Sequence, residues 1–158
     1  RKDLIEFLLN HGANPDLMVK NSTRAIFIAY QNNDLEILKL LVEKGANISL
    51  QNNKGENLLY IAAKDGRQEV IKLLLSNNVE TNIKNKMSVD AISMACEKGS
   101  SKAGYNLLKY GVNPNGKNDE GYIPIQIAVK NGNKEITEIL LSYEANPNIT
   151  GPDGKSSI

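Results

Sequence analysis

A seven-residue phrase returns five times along the chain, each time 33 residues further on: Leu8-Leu9-Asn10-His11-Gly12-Ala13-Asn14, Leu41-Val42-Glu43-Lys44-Gly45-Ala46-Asn47, Leu74-Leu75-Ser76-Asn77-Asn78-Val79-Glu80, Leu107-Leu108-Lys109-Tyr110-Gly111-Val112-Asn113 and Leu140-Leu141-Ser142-Tyr143-Glu144-Ala145-Asn146. A second phrase keeps the same step, at Ile28-Ala29-Tyr30, Ile61-Ala62-Ala63, Met94-Ala95-Cys96 and Ile127-Ala128-Val129. A fixed period of this length marks a stacked array in which no unit buries its apolar face alone. Four whole units fit, 19–51, 52–84, 85–117 and 118–150, with part of one before them (1–18) and the start of another after (151–158). Arrays need polar capping units, and neither end supplies a whole one, so 1–158 is expected to be a single array belonging to a longer protein. The missing initiator Met agrees.

Each unit reads as helix, tight turn, helix, loop. In 52–84, Asn57 precedes Leu58-Leu59-Tyr60-Ile61-Ala62-Ala63 and can accept from an unpaired N–H of the first helical turn. Gly66 breaks the run. Glu69 to Leu75 follows, with Val70, Leu73 and Leu74 on one face and Glu69 near the helix start, where the dipole favours an anion. Asn78 ends it at a position held by Gly12, Gly45 and Gly111 elsewhere, as a left-handed C-terminal residue requires.

Composition removes most chemistry. One cysteine, Cys96, excludes an internal disulfide and a multi-cysteine zinc site, and one histidine, His11, leaves a Cys/His pair as the sole nucleophilic constellation. Those two lie about two and a half units apart, more than roughly 20 Å at ordinary helix spacing, so they form no dyad. Cys96 is expected in the core and His11 at a solvated helix end. Gly154-Lys155-Ser156 imitates the end of a phosphate-binding loop, but lacks the preceding strand and glycine spacing and falls at a loop position shared with Gly55 and Gly121. No metal site, cofactor or small-molecule substrate is expected, and the chain is read as non-enzymatic. Nineteen Lys+Arg against 18 Asp+Glu give no excess for nucleic acid, and no apolar run approaches a membrane span. Asparagine is abundant, 21 residues. AT-rich coding accounts for part of this, and recurrence at fixed loop positions (Asn14, Asn47, Asn113, Asn146; Asn82, Asn115, Asn148) points to turn chemistry for the rest.

The unit Gly55-x-Asn57-Leu58-Leu59-Tyr60-Ile61-Ala62-Ala63-x-x-Gly66 resembles the ankyrin repeat, whose phrase is Gly-x-Thr-Pro-Leu-His-x-Ala-Ala-x-x-Gly, and the match recurs in register over nearly the whole chain. The resemblance implies an all-α solenoid of antiparallel helix pairs with β-hairpin-like fingers, acting as a protein-interaction scaffold. The alternative is a regulatory or targeting segment of a larger enzyme, effector or channel. A monomer in the cytoplasm is expected, with delivery into a host cell left open. At Thr-Pro-Leu-His the chain has Arg24-Ala25-Ile26-Phe27, Asn57-Leu58-Leu59-Tyr60, Asp90-Ala91-Ile92-Ser93 and Ile123-Pro124-Ile125-Gln126. The family's Thr–His bonding is therefore expected to be lost, Asn57 and Asp90 to cap, Pro124 to open a helix, and Arg24 and Ile123 to leave their helices uncapped. Unit 85–117 is the least regular: Gly104 weakens a helix interior, Asn106 replaces a core Leu or Ile, and Glu144 in the next unit occupies the left-handed position. Tolerated drift and a functional soft spot or partner contact both remain open for it.

By the same resemblance, partner contacts fall on fingers and first-helix faces. In the second full unit these are Lys54, Glu56 and Lys64; in the third, Lys86, Met87, Val89, Glu97 and Lys98; in the fourth, Asp119, Glu120, Tyr122 and Lys130. Met87, Val89 and Tyr122 are apolar residues on adjacent fingers expected to be exposed, ringed by lysines, and so are the expected centre of a contact.

Overall fold

The computed structural model describes residues 2–19, 23–85 and 90–156, with backbone alone for Val19. Helices come in pairs that follow the repeat: α1 (Lys2–Asn10); α2 (Ala25–Gln31) with α3 (Leu35–Glu43); α4 (Leu58–Asp65) with α5 (Gln68–Ser76); α6 (Ala91–Lys98) with α7 (Ser101–Lys109); α8 (Pro124–Lys130) with α9 (Lys134–Ser142). Among the described residues strand is confined to the finger β1 (Met18–Val19) and β2 (Thr23–Arg24), paired antiparallel with Met18 opposite Arg24, and to a bridge between Gln51 and Asn57. The result is a helical repeat stack with hairpin fingers.

Caps fall where the side chains allow them. Asn57 accepts from the Tyr60 N–H at 2.8 Å and Asp90 from the Ser93 N–H at 2.8 Å, whereas Arg24 and Ile123 supply no side-chain cap. The expected loss of hydrogen bonding at these turns is only partial. Gln126, at the family's His position, accepts from the Ile123 N–H at 3.1 Å and donates to the carbonyls of Ile149 and Lys155 at 3.1 and 3.2 Å, tying its turn to the next finger. At the second-helix ends the left-handed residue is Asn78 (φ 57°) in one unit and Glu144 (φ 63°) in another, so Glu144 accepts the backbone that glycine takes elsewhere.

One apolar cluster runs through the stack from Ile26 to Ala145. Its spacing is uneven. Ala63 on α4 and Cys96 on α6 are small and fully buried, and α6 packs closely on α4 and α8 on α6. Tyr30 holds the same repeat position on α2, and the backbones of α2 and α4 stay further apart. Its hydroxyl crosses the gap to donate to Asp65 at 2.7 Å, while the Arg67 guanidinium covers its ring at 4.1 Å and donates to its carbonyl at 2.6 Å. Tyr30 thus acts as a spacer between two units.

A hydrogen-bond ladder runs along the loops and absorbs much of the asparagine. Asn14, Asn47, Asn113 and Asn146 each accept through Oδ1 from the N–H two residues on, closing a turn. The next repeat position then links unit to unit: Asp16 accepts from the Asn47 N–H, Ser49 from the Glu80 N–H, and Asn115 from the Asn146 N–H, at 2.8–3.1 Å. Backbone donors that a bare loop would leave to water are paired in this way across each of these junctions.

The irregular helix α7 is compensated by its neighbours. Asn106, in a core position, is 7% exposed and donates to Gln68 Oε1 on α5 at 2.7 Å, and Ser101 donates to Glu135 on α9 at 2.8 Å. Gly104 makes room for Ile136: a Cβ there would lie 2.6 Å from Ile136 Cδ1 and 3.0 Å from Cγ1. Ile136 is 1% exposed and β-branched, so it has little space to retreat into. Gly104→Ala should therefore cost about 1 kcal/mol net, overpacking exceeding the gain in helix propensity. In an Ile136→Val background, which removes the clashing methyl, the same change should be neutral or stabilising. Urea midpoints of the four proteins test this, and a stabilising Gly104→Ala in the native background would refute the packing explanation.

Candidate functional site

The finger turns are built alike from the chain outward. Asn52, Asn118 and Gly151 each donate an N–H to the carbonyl four residues on (Glu56, Tyr122 and Lys155) at 2.8–2.9 Å, and each accepts from the N–H of a glycine three residues on, Gly55, Gly121 and Gly154. Asn52 Oδ1 also takes the N–H groups of Lys54 and Glu56, and Asn118 Oδ1 that of Tyr122. Gly154-Lys155-Ser156 therefore belongs to a finger turn, and no helix follows it among the described residues.

Between these fingers and the first helices lie two open grooves. The first, about 480 Å³, has Phe27 and Ile61 as apolar walls, Asn52 and Lys54 from a finger, and Asp65 and Arg67 from the spacer network. The second, about 340 Å³, repeats the first in register two units along: Ser93 stands for Phe27, Glu97 for Gln31, Asn118 for Asn52, Glu120 for Lys54 and Ile127 for Ile61. Ser93 is 1% exposed and its hydroxyl has no hydrogen-bond partner among the described residues. At the same repeat position Gln126 reaches the next finger, whereas the serine is too short to do so.

Among the residues expected to meet a partner, Lys54, Lys64, Glu97, Lys98, Asp119, Glu120 and Lys130 are exposed on fingers and first helices. Glu56 is half-buried, its carboxylate accepting from Asn52 Nδ2 at 2.9 Å. Asp119 pairs with Lys84, and Glu97 with its neighbour Lys98 at 3.4 Å. Tyr122 departs from expectation. It is half-buried rather than fully exposed, because the following finger closes against it at Gly151, and the Lys130 ammonium lies 5.8 Å above its ring. Lys86, Met87 and Val89 lie outside the described residues.

Burial controls the titratable groups nearby. The Tyr30 hydroxyl is pushed well above the ordinary phenol range by burial, reinforced by its hydrogen bond to Asp65 and by the charge of that carboxylate. Tyr60 moves the same way, mainly through burial. Cys96 is wholly buried in α6 and its thiol is pushed far up, mainly by burial, so it stays protonated and is a poor nucleophile. His11 sits at the exposed end of α1, its Nδ1 2.8 Å from the Phe7 carbonyl. Among the described residues no group of three or more His, Cys, Asp or Glu could hold a metal ion, and no helix is long and apolar enough to cross a membrane.

Two features of the grooves escaped the repeat pattern: the spacer triad Tyr30–Asp65–Arg67 and the orphaned Ser93. Tyr30 carried a signal, since its bulk breaks a series otherwise made of Ala63, Cys96 and Val129. Ser93 carried a weaker one, as the shortest of the side chains at its repeat position.

Paired helices, hydrogen-bonded finger turns and an open face of first helices define a helical repeat scaffold. The family model for ankyrin repeats in three copies matches residues 1–85 and 78–151, and the chain belongs to the ankyrin repeat family, whose members are generally protein–protein interaction modules. No curated protein matches the chain.

Proposed function

We propose that this chain is a non-catalytic protein-interaction module that binds a protein partner through its fingers and the face formed by α2, α4, α6 and α8. The observation that supports this reading is the pair of open grooves on that one face, bordered by exposed charged side chains that differ from unit to unit while the packing residues repeat. Contacts are assigned to Lys54, Glu56, Lys64, Glu97, Lys98, Asp119, Glu120, Tyr122 and Lys130, together with Lys86, Met87 and Val89. The array 1–158 acts as one unit, as a monomer in the cytoplasm, and takes neither nucleic acid nor a cofactor.

Lysine crosslinking of the intact array to captured partners tests the face. Crosslinks should fall on Lys54, Lys64, Lys98 and Lys130. Crosslinks confined to Lys72, Lys102, Lys109 and Lys134, which lie on the second helices, would reject the proposal.

A further inference from the structure

Two Asn-Gly bonds occur in the chain, Asn115-Gly116 and Asn131-Gly132. At such a bond the glycine nitrogen, with no side chain on its own residue to block the approach, can attack the asparagine Cγ once the backbone is free to turn. The two sites are held differently. Asn131 caps α8, its Nδ2 donating to the Ile127 carbonyl at 2.8 Å, and its ψ of 2° turns the Gly132 nitrogen over the residue's own N–H and away from Cβ. The Gly132 N–H is itself bonded to the Val129 carbonyl at 2.9 Å, and φ 70° there accounts for the glycine. Gly116 has no such account. Its repeat position holds Leu17, Leu50, Ile83 and Ile149 in the other units. Alone among the described glycines it has neither a left-handed φ nor a neighbour that an added Cβ would crowd, since that Cβ would meet only the Asn113 carbonyl oxygen, at 3.6 Å. Its N–H makes one long bond to the same oxygen, at 3.4 Å.

The Asn115 amide also ties two units together. Its Oδ1 accepts from the Asn146 N–H at 2.8 Å and its Nδ2 donates to the Glu144 carbonyl at 3.2 Å. Glu144 is the residue that carries a side chain at φ 63°, a backbone that disfavours one. At the equivalent junction Asp16 supplies acceptors alone, and the left-handed residue beside it is Gly45, which needs no such support. Both bonds of Asn115 cross the junction between 85–117 and 118–150, so opening that junction frees the side chain, whereas freeing Asn131 requires the end of α8 to unwind.

We propose that Asn115-Gly116 is a self-modification site gated by this junction, and that its reaction loosens the unit 118–150 permanently. When the junction opens, the Gly116 nitrogen bonds to Asn115 Cγ and the Cγ–Nδ2 bond breaks. Ammonia leaves, carrying the Gly116 proton, and a five-membered imide remains. Water then opens the ring. Addition at Cγ gives aspartate, and addition at the Asn115 main-chain carbonyl gives isoaspartate, whose main chain runs through Cγ. Either ionised acid can accept but cannot donate, so the Glu144 carbonyl loses its bond and faces a new negative charge. Isoaspartate also lengthens the main chain by one carbon and breaks the turn that Asn113 closes.

Holding the intact array in mildly alkaline buffer and mapping acid formation residue by residue with mass spectrometry tests this. Acid should accumulate at Asn115 about tenfold faster than at Asn131, and urea below the unfolding transition should speed it by populating the open junction. Molecules modified at Asn115 should exchange the amide hydrogens of α9 faster than unmodified ones, while α4 and α5 keep their protection. Gly116→Ala should slow the reaction at Asn115 about tenfold without lowering the melting temperature, because the added Cβ hinders the nitrogen and has room in the fold. Reaction at Asn131 as fast as at Asn115, a rate at Asn115 indifferent to urea or to Gly116→Ala, or unchanged exchange in α9 after modification would each overturn the proposal. The comparison of Asn115 with Asn131 is made within the native chain and holds whether or not the variant folds.

Discussion

Leu74→Ala should destabilise the array by about 3–5 kcal/mol, while Leu8→Ala, the same substitution at the same repeat position, should cost less than about 1 kcal/mol. Leu41, Leu74, Leu107 and Leu140 share this position and are at most 2% exposed. Removing three heavy atoms from Leu74 loses their transfer energy and leaves a cavity that α4 and α7, packed on α5, hold open. Leu8 is 50% exposed on α1, which packs chiefly on α3 among the described helices. Truncation there forfeits little burial and creates no void. Chemical denaturation followed by circular dichroism measures both. Equal losses would mean that repeat position, rather than place in the stack, sets the energy.

A second large effect is expected at the turn between paired helices. Gly66 and Gly99 are the same repeat residue with the same left-handed backbone, φ 68° and 65°. A Cβ at Gly66 would meet nothing within 4 Å, but at Gly99 it would lie 2.7 Å from Asn133 Oδ1 and 3.0 Å from its Cγ. Asn133 cannot withdraw without giving up the hydrogen bond its Nδ2 donates to the Cys96 carbonyl at 2.7 Å. Gly66→Ala should therefore cost only the left-handed penalty, about 1–2 kcal/mol, whereas Gly99→Ala should add about 1 kcal/mol or more for the lost junction contact. Thermal unfolding of the two variants separates these costs, and indistinguishable melting temperatures would remove Asn133 from the account. In an Asn133→Ala background the two glycines should become equivalent.

Much of the fold was legible in the chain because it is local. The left-handed stops at Gly66 and Asn78, the caps at Asn57 and Asp90 and the placement of Glu69 in the first turn of α5 follow from backbone geometry within a few residues. Asparagine at two fixed loop positions announced turn chemistry. What could not be read was that the second of those positions bonds to the neighbouring unit, since Asp16, Ser49 and Asn115 find their donors 31 residues away. The site was legible only in outline. The repeat resemblance placed Lys54 and Glu120 on fingers, but said nothing about which junction stands open or which hydroxyl is left unpaired.

The sequence by itself determined the unit: its length, its two helices, where they start and stop, and which residues turn inward. A 33-residue pattern can do this because propensity, capping and turn geometry act over a few residues and are therefore copied with each repeat. Only the tertiary structure decided how one unit meets the next. Tyr30 spaces α2 from α4 where Ala63 lets α4 meet α6, Gly104 makes room for Ile136, and Gln126 bridges a gap that Ser93 leaves open. Each outcome depends on the volume or reach of a side chain about one repeat away, and close packing makes that match specific to the junction rather than to the motif.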